Sequence, residues 1–216
     1  MIPAFPVYIF DVDGTLFDSQ LDICGAIQDV LAARGRTDVT HEVLRPYIGK
    51  HLLGEFLELG FTPQDVEAMI PEYRVTYAAR KHASTLIYAG IAETLARMGG
   101  RKTTATTKGT ASTKLMLEQF GLLSHFDHVQ GTDGFPAKPE PDVLLKCIEA
   151  MGVRKEDCLF IGDAPTDIEA GHRAGVRTCA VTWGYGDRQE LADAKPEFWA
   201  HTPHELLADC YTRPAQ

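Results

Sequence analysis

An apolar run of four residues, Val7-Tyr8-Ile9-Phe10, breaks at once into Asp11-Val12-Asp13-Gly14-Thr15-Leu16. Four consecutive apolar positions predict a strand buried on both faces, as in a parallel sheet. Downstream of residue 88 the pattern alternates between helix and strand. Residues 91–98 read as a helix ending at Gly99-Gly100, residues 103–106 as a strand, and residues 111–120 as a helix closed by Gly121. Pro141 starts a helix whose apolar face is Val143, Leu144, Cys147, Ile148 and Met151, with Gly152 at its end. Cys158-Leu159-Phe160-Ile161 predicts another buried strand, a helix follows through Ile168 and Ala174, and residues 178–181 form a further strand. Thr202-Pro203-His204-Glu205 reads as a capping box opening the last helix. This alternation implies an α/β core: a mostly parallel sheet covered by helices on both faces.

One interval is too long. A strand-helix-strand crossover needs about 30 residues, yet about ninety separate Asp11 from Thr106. The surplus reads as helical. Ser19-Gln20-Leu21-Asp22 has the form of a capping box, followed by Ile23, Ile27, Val30 and Leu31 at helical spacing, and Thr62-Pro63-Gln64-Asp65 starts another helix after Gly60. The expectation is an all-helical cap domain, residues 19–84, inserted into a core of residues 1–18 and 85–216. Such an insertion would lie over the carboxyl ends of the strands, where it can cover a site.

Composition narrows the classes. A net charge of −9 over 216 residues argues against a nucleic-acid surface, and an anionic ligand would need a local source of positive charge. No segment approaches the ~20 apolar residues of a membrane helix, and the N-terminus lacks the basic and apolar regions of a signal peptide. Five scattered cysteines, Cys24, Cys147, Cys158, Cys179 and Cys210, show no C-x-x-C spacing, and the eight histidines form no H-E-x-x-H. The expected compartment is the cytoplasm.

Polar clusters fall where strands end. Asp11 and Asp13 follow the first strand, and Gly14 lets the chain turn away so that both can surround one site. Residues 103–106 run into Thr106-Thr107-Lys108-Gly109. Lys138 sits in Ala137-Lys138-Pro139-Glu140-Pro141-Asp142, and Gly162-Asp163-Ala164-Pro165-Thr166-Asp167 carries two acids from strand into helix. Each cluster alone is explained by a polar strand end or a capping turn. Together, in this order, they resemble the haloacid dehalogenase-like hydrolase superfamily, and Lys138-Pro-x-Pro-Asp, Tyr88-x-Gly90 and Thr182-Trp183-Gly184-Tyr185-Gly186 look like its phosphoglycolate phosphatase-like branch.

That resemblance implies a Rossmann-like core and a Mg²⁺-dependent phosphatase acting on a small phosphorylated metabolite. Asp11 would be the nucleophile, forming an aspartyl-phosphate, and Asp13 the acid for the leaving alkoxide and then the base for water. Mg²⁺ would be held by Asp11, Asp163 and the backbone carbonyl of Asp13, with Asp167 orienting a metal-bound water or Lys138. Thr106 and Lys138 complete the catalytic set; Gly14, Thr15, Thr107 and Lys108 are expected to bind substrate. The four acids carry −4, and Mg²⁺ with Lys138 would return +3. Lys50, in Ile48-Gly49-Lys50-His51 before Leu52, Leu53, Phe56 and Leu57, is expected at a helix N-terminus, where it would favour a substrate carboxylate. The strand before Thr106 departs from the usual apolar pattern, since it reads Lys102-Thr103-Thr104-Ala105. Asp13 argues against dehalogenase chemistry, while a phosphomutase resembling β-phosphoglucomutase and an inorganic pyrophosphatase keep the same motifs. A non-enzymatic receiver domain would be about half this length. An EF-hand is excluded, because Leu16 and Asp22 stand where its loop needs Gly and Glu.

Overall fold

The computed structural model describes residues 2–48 and 52–207. From β1 (Val7–Phe10) the chain passes through the two-residue β2 (Phe17–Asp18) into α1 (Gln20–Ala32), α2 (His41–Leu44), α3 (Leu52–Glu58) and α4 (Pro63–Ala79), and returns through β3 (Leu86–Ile87). Helices and strands then alternate: α5 (Ile91–Arg97), β4 (Arg101–Thr106), α6 (Thr110–Gln119), β5 (His128–Gly131), α7 (Asp142–Met151), β6 (Cys158–Gly162), α8 (Pro165–Ala174), β7 (Arg177–Val181), α9 (Arg188–Asp193) and β8 (Phe198–Ala200). Six of these strands form one parallel sheet in the order β5-β4-β1-β6-β7-β8. The fold is α/β and Rossmann-like.

The two-residue period of β1 divides the core. Tyr8 and Phe10 pack with Leu159, Ile161, Ile91, Leu95, Met116 and Leu117 on one face, whereas Val7 and Ile9 join Phe160, Val143, Leu144, Cys147 and Ala170 on the other. Both faces are covered, so β1 and β6 tolerate unbroken apolar runs. The threonines of β4 survive burial because each hydroxyl finds a partner. Thr104 Oγ1 donates to Gln130 O at 3.0 Å and accepts from Gln130 N at 3.0 Å, and Thr103 Oγ1 lies 3.9 Å from Cys147 Sγ. Lys102, also buried, donates through Nζ to Met98 O at 2.7 Å.

Residues 20–79 hold a separate apolar cluster: Ile23, Ile27, Val30 and Leu31 of α1 meet Leu44, Phe56, Val66, Met69 and Tyr77. Where the chain leaves and re-enters, β2 and β3 pair antiparallel, Phe17 with Ile87 and Asp18 with Leu86. Two expected caps differ. Ser19 precedes α1 but makes no side-chain cap bond; its Oγ donates to Asp13 Oδ1 at 2.6 Å, while Asp22 accepts from Ser84 N and Thr85 Oγ1. An acceptor for Ser19 and donors for Asp22, all on neighbouring segments, displaced the local box. At the C-terminal end Thr202 opens a short 3-10 turn, Pro203–Leu207, in which Glu205 N bonds the Thr202 carbonyl rather than its hydroxyl. The Thr62–Asp65 box before α4 forms in full.

Candidate active site

Asp11 continues β1 by one residue, its N–H donating to Ile161 O at 2.9 Å. It therefore stands at the carboxyl edge of the central strand, beside the end of β6. Lys138 Nζ reaches Asp11 Oδ1 at 2.6 Å and Asp167 Oδ1 at 2.5 Å, and lies 3.3 Å from Ala105 O. Asp167, in the first turn of α8, also accepts from Ala164 N at 3.0 Å. Asp163 accepts from Thr15 Oγ1 at 3.0 Å and from Tyr185 N at 2.8 Å. All of Asp11, Lys138, Asp163 and Asp167 are buried.

Asp13 has different company. Its Oδ1 takes the Ser19 hydroxyl, and its Oδ2 lies 3.2 Å from Lys108 Nζ. Lys108 in turn donates to Tyr77 Oη, on α4, at 2.9 Å. The two acids of the opening motif are thus held by two separate cations.

Taking these charges out of water moves their proton affinities. Burial pushes the Asp11 carboxyl well above the usual carboxylate range; Lys138 pulls it down, and Asp167 and Asp163 push it up. Asp163 is pushed up to about 7, by burial first and by Asp167 next. Burial opposes the charge on Lys138, but Asp11 and Asp167 outweigh it and hold the ammonium above the usual lysine range. Lys108 is held up in the same way, against burial, by Asp13 and Tyr77.

Ligand oxygens of Asp11, Asp163 and Asp167 all lie within 4.8 Å of one another. Crowded carboxylates of this kind suit a hard divalent cation, which prefers oxygen donors and whose charge would lower the raised acids again. The carboxylate of Asp13 is not in this trio. Both oxygens of Asp167 and both of Asp163 accept from protein donors, but only Asp167 shares the Lys138 ammonium with Asp11.

Other residues singled out from sequence fall around the same point. Gly14 has φ +93, and a Cβ there would lie 2.3 Å from Asp163 Oδ2, so only glycine lets the turn pass the carboxylate. Thr15 is fully buried with its hydroxyl on Asp163, behind the site rather than open to a ligand. Thr106 lies two residues beyond the Phe10–Thr104 pair, level with Val12, and its Oγ1 accepts from Lys108 N at 3.2 Å. Thr107 is half-buried beside it. Lys50 lies outside the described residues.

The sequence pattern does not mark three contributors as site residues: Ser19, which reads as a helix cap; Tyr77; and Tyr185. The Tyr185 hydroxyl accepts from Ser19 N at 2.7 Å while its own N–H holds Asp163. The flanking glycines were the available signal. A Cβ at Gly184 would lie 2.4 Å from Asp163 and from Gly14 O.

A family model described as haloacid dehalogenase-like hydrolase matches residues 8–181. The chain belongs to this family. It is 32% identical over 211 residues to phosphoglycolate phosphatase 1 of Pseudomonas aeruginosa, covering 92% of this chain and 77% of that protein. It is 33% identical over 208 residues to phosphoglycolate phosphatase of Aquifex aeolicus, covering 93% and 94%. Among solved structures, a haloacid dehalogenase-like family hydrolase from Streptococcus pneumoniae superposes with TM-score 0.87 at 25% identity, covering 94% of this chain and 97% of the other. A protein described as a predicted phosphatase from Clostridium acetobutylicum gives TM-score 0.88 at 27% identity, with the same coverage. Within the family the chain falls in the phosphoglycolate phosphatase-like branch, and it is a hydrolase of phosphate monoesters. No helix among the described residues is long and apolar enough to cross a membrane.

Proposed function

We propose that this enzyme is a Mg²⁺-dependent phosphatase that forms an aspartyl-phosphate on Asp11, with phosphoglycolate as its substrate. The observation that carries the reading is the division of labour at the end of β1. Lys138 and the acid cluster surround Asp11, while Asp13 is held apart by Ser19 and Lys108. Two carboxylates in different environments suit two different roles.

In the first step an Asp11 oxygen attacks phosphorus as the ester P–O bond breaks, and Asp13, entering the step as the carboxylic acid, gives its proton to the departing alkoxide and is left as the carboxylate beside Lys108. In the second, Asp13 takes a proton from water, whose oxygen attacks phosphorus and returns Asp11 as a carboxylate. Lys138 offsets charge on Asp11 and the phosphoryl group, and Thr106, Thr107 and Lys108 supply donors for its oxygens. Mg²⁺, held by Asp11, Asp163 and the Asp13 carbonyl with Asp167 steadying Lys138, would supply further positive charge to the transferring group. Thr15 and Gly14 keep Asp163 in place for that purpose.

The helices of residues 19–84 are proposed as a cap domain over a catalytic core of residues 1–18 and 85–216, with the cytoplasm as compartment. Their separate apolar cluster and their entry and exit at the short β2–β3 ribbon support this division. The phosphoglycolate assignment rests on relatives of that name, two of them at about one-third identity. The test is turnover of a panel of phosphate monoesters with Mg²⁺ and in excess chelator. Phosphoglycolate should be the best substrate, chelator should stop turnover, and Asp11→Asn should lower kcat by several orders of magnitude. Near-normal hydrolysis by Asp11→Asn, or full activity in chelator, would refute the mechanism. Conversion of β-glucose 1-phosphate to the 6-phosphate would make the enzyme a phosphomutase instead.

A further inference from the structure

Tyr77 is buried in the apolar cluster of α1–α4, stacked on Tyr73 with ring centroids 5.8 Å apart. A packing role accounts for its ring but not for its hydroxyl. Lys108 Nζ lies 2.9 Å from Tyr77 Oη and 4.1 Å from the ring centroid, so the phenol meets the ammonium with both its oxygen and its π face. An ammonium can only donate, so Oη accepts from Lys108 and must place its own proton elsewhere. His82 Nδ1 is 3.3 Å from Oη, and burial, then the Lys108 charge, holds the imidazole pKa down, which suits a neutral acceptor.

The segment that carries His82 is itself unusual. Lys81 and His82 have φ of 52° and 53°, two successive side-chain-bearing residues in the left-handed region. Such backbone costs energy and persists only where surrounding contacts hold it. Gln119 Nε2 donates to Lys81 O at 3.0 Å, and the His82 ring meets Tyr77 edge-on at 5.3 Å. A continuous line of contacts therefore runs from His82 through Tyr77 and Lys108 to Asp13 Oδ2.

We propose that Tyr77 is a positioning residue of the phosphatase: through Lys108 it holds Asp13 in place to protonate the leaving group. The inference rests on the acid role given to Asp13 above. It links α4 to the chemical step, because Lys108 has its phenolic partner only while α4 is seated on the site.

The experiment is a double-mutant cycle on kcat/KM with Tyr77→Phe, Lys108→Met and the pair, each on an alkyl monoester (phosphoglycolate) and on p-nitrophenyl phosphate. Phenylalanine keeps the ring and its packing and removes only the oxygen. Because kcat/KM covers events up to departure of the alcohol, it reads the acid role of Asp13 and not its later use as a base. Tyr77→Phe should lower kcat/KM for phosphoglycolate about tenfold, a loss typical of one hydrogen bond to a charged group. The loss should be within about twofold for p-nitrophenyl phosphate, whose leaving group scarcely needs a proton. The double variant should match Lys108→Met within about twofold. Equal losses on both substrates, multiplicative losses in the double variant, or no loss would overturn the proposal. His82→Gly, which tolerates the left-handed backbone at this position and removes the imidazole acceptor, should show the same substrate dependence on a smaller scale; its absence would also count against the relay. Retained turnover by Asp11→Asn would fail the aspartyl-phosphate reading separately, leaving the cycle to report on Tyr77.

Discussion

Replacing Asp163 with asparagine should change how stability depends on pH. In the folded, metal-free protein the Asp163 carboxyl is pushed up to about 7, against 3.8 for an unperturbed aspartate, chiefly by burial. Between those two pH values the folded state keeps a proton that the unfolded chain has lost. The folded state then binds more protons than the unfolded one, so unfolding free energy falls as pH rises. The contribution of Asp163 is complete below about pH 4 and gone above about pH 7. A rise of this size corresponds to at most about 4 kcal/mol. Urea unfolding of wild type and Asp163→Asn should be followed from pH 4 to pH 8 in chelator. The wild-type stability minus that of the variant should decline across the window, because asparagine does not titrate there. Asp11 is displaced in the same direction and adds to the decline in both proteins. Saturating Mg²⁺ should remove the wild-type decline, since a cation binds the ionised carboxylate and competes with the proton. A difference that is flat in chelator, or that grows with pH, would refute the account of Asp163 as a carboxyl held protonated by burial.

Gly184→Ala should weaken Mg²⁺ activation by about 10- to 100-fold, because the new methyl would sit 2.4 Å from Asp163 and displace it. A magnesium titration of phosphatase activity reads this directly, and an unchanged midpoint would show that Asp163 is not held by that contact. Thr104→Val keeps shape but removes the hydroxyl that serves both Gln130 O and Gln130 N. It should cost about 1–3 kcal/mol in urea unfolding, with the KM of the substrate unaltered.

The strands legible in the sequence were those whose burial is two-sided. Residues 7–10 and 158–161 announce themselves by unbroken apolar runs, and β4 is recognisable because threonine is β-branched. The edge strands gave no such signal. β5 reads His-Val-Gln-Gly, with its first and third residues only half-buried, and β8 has three residues. Side chains that bond within a few residues were also predictable, as at Thr62 and Asp65. Ser19 and Asp22 have the same local form, but Asp13, Ser84 and Thr85 become available only once distant segments meet. Tyr77 was invisible for a related reason. Its position on α4 predicts a packed ring, and nothing nearby in sequence reveals that its hydroxyl faces Lys108.

Lys108 changes the electrostatic account most. With Lys138 as the only protein cation, four aspartates and Mg²⁺ leave the site at −1 before a phosphate dianion arrives. The structure buries a second ammonium against Asp13, the Lys108 side chain being 8% exposed. With Asp13 ionised, four carboxylates and two ammoniums sum to −2, which one divalent cation cancels; with Asp13 as the acid that the first step requires, the same site stands at +1. In either form a dianion enters a site that does not already repel it. Because Lys108 is shared between Asp13 and Tyr77, its charge is fixed beside the acid rather than left free in a loop. In a chain of net charge −9, the positive charge that an anionic substrate needs is therefore supplied inside the site.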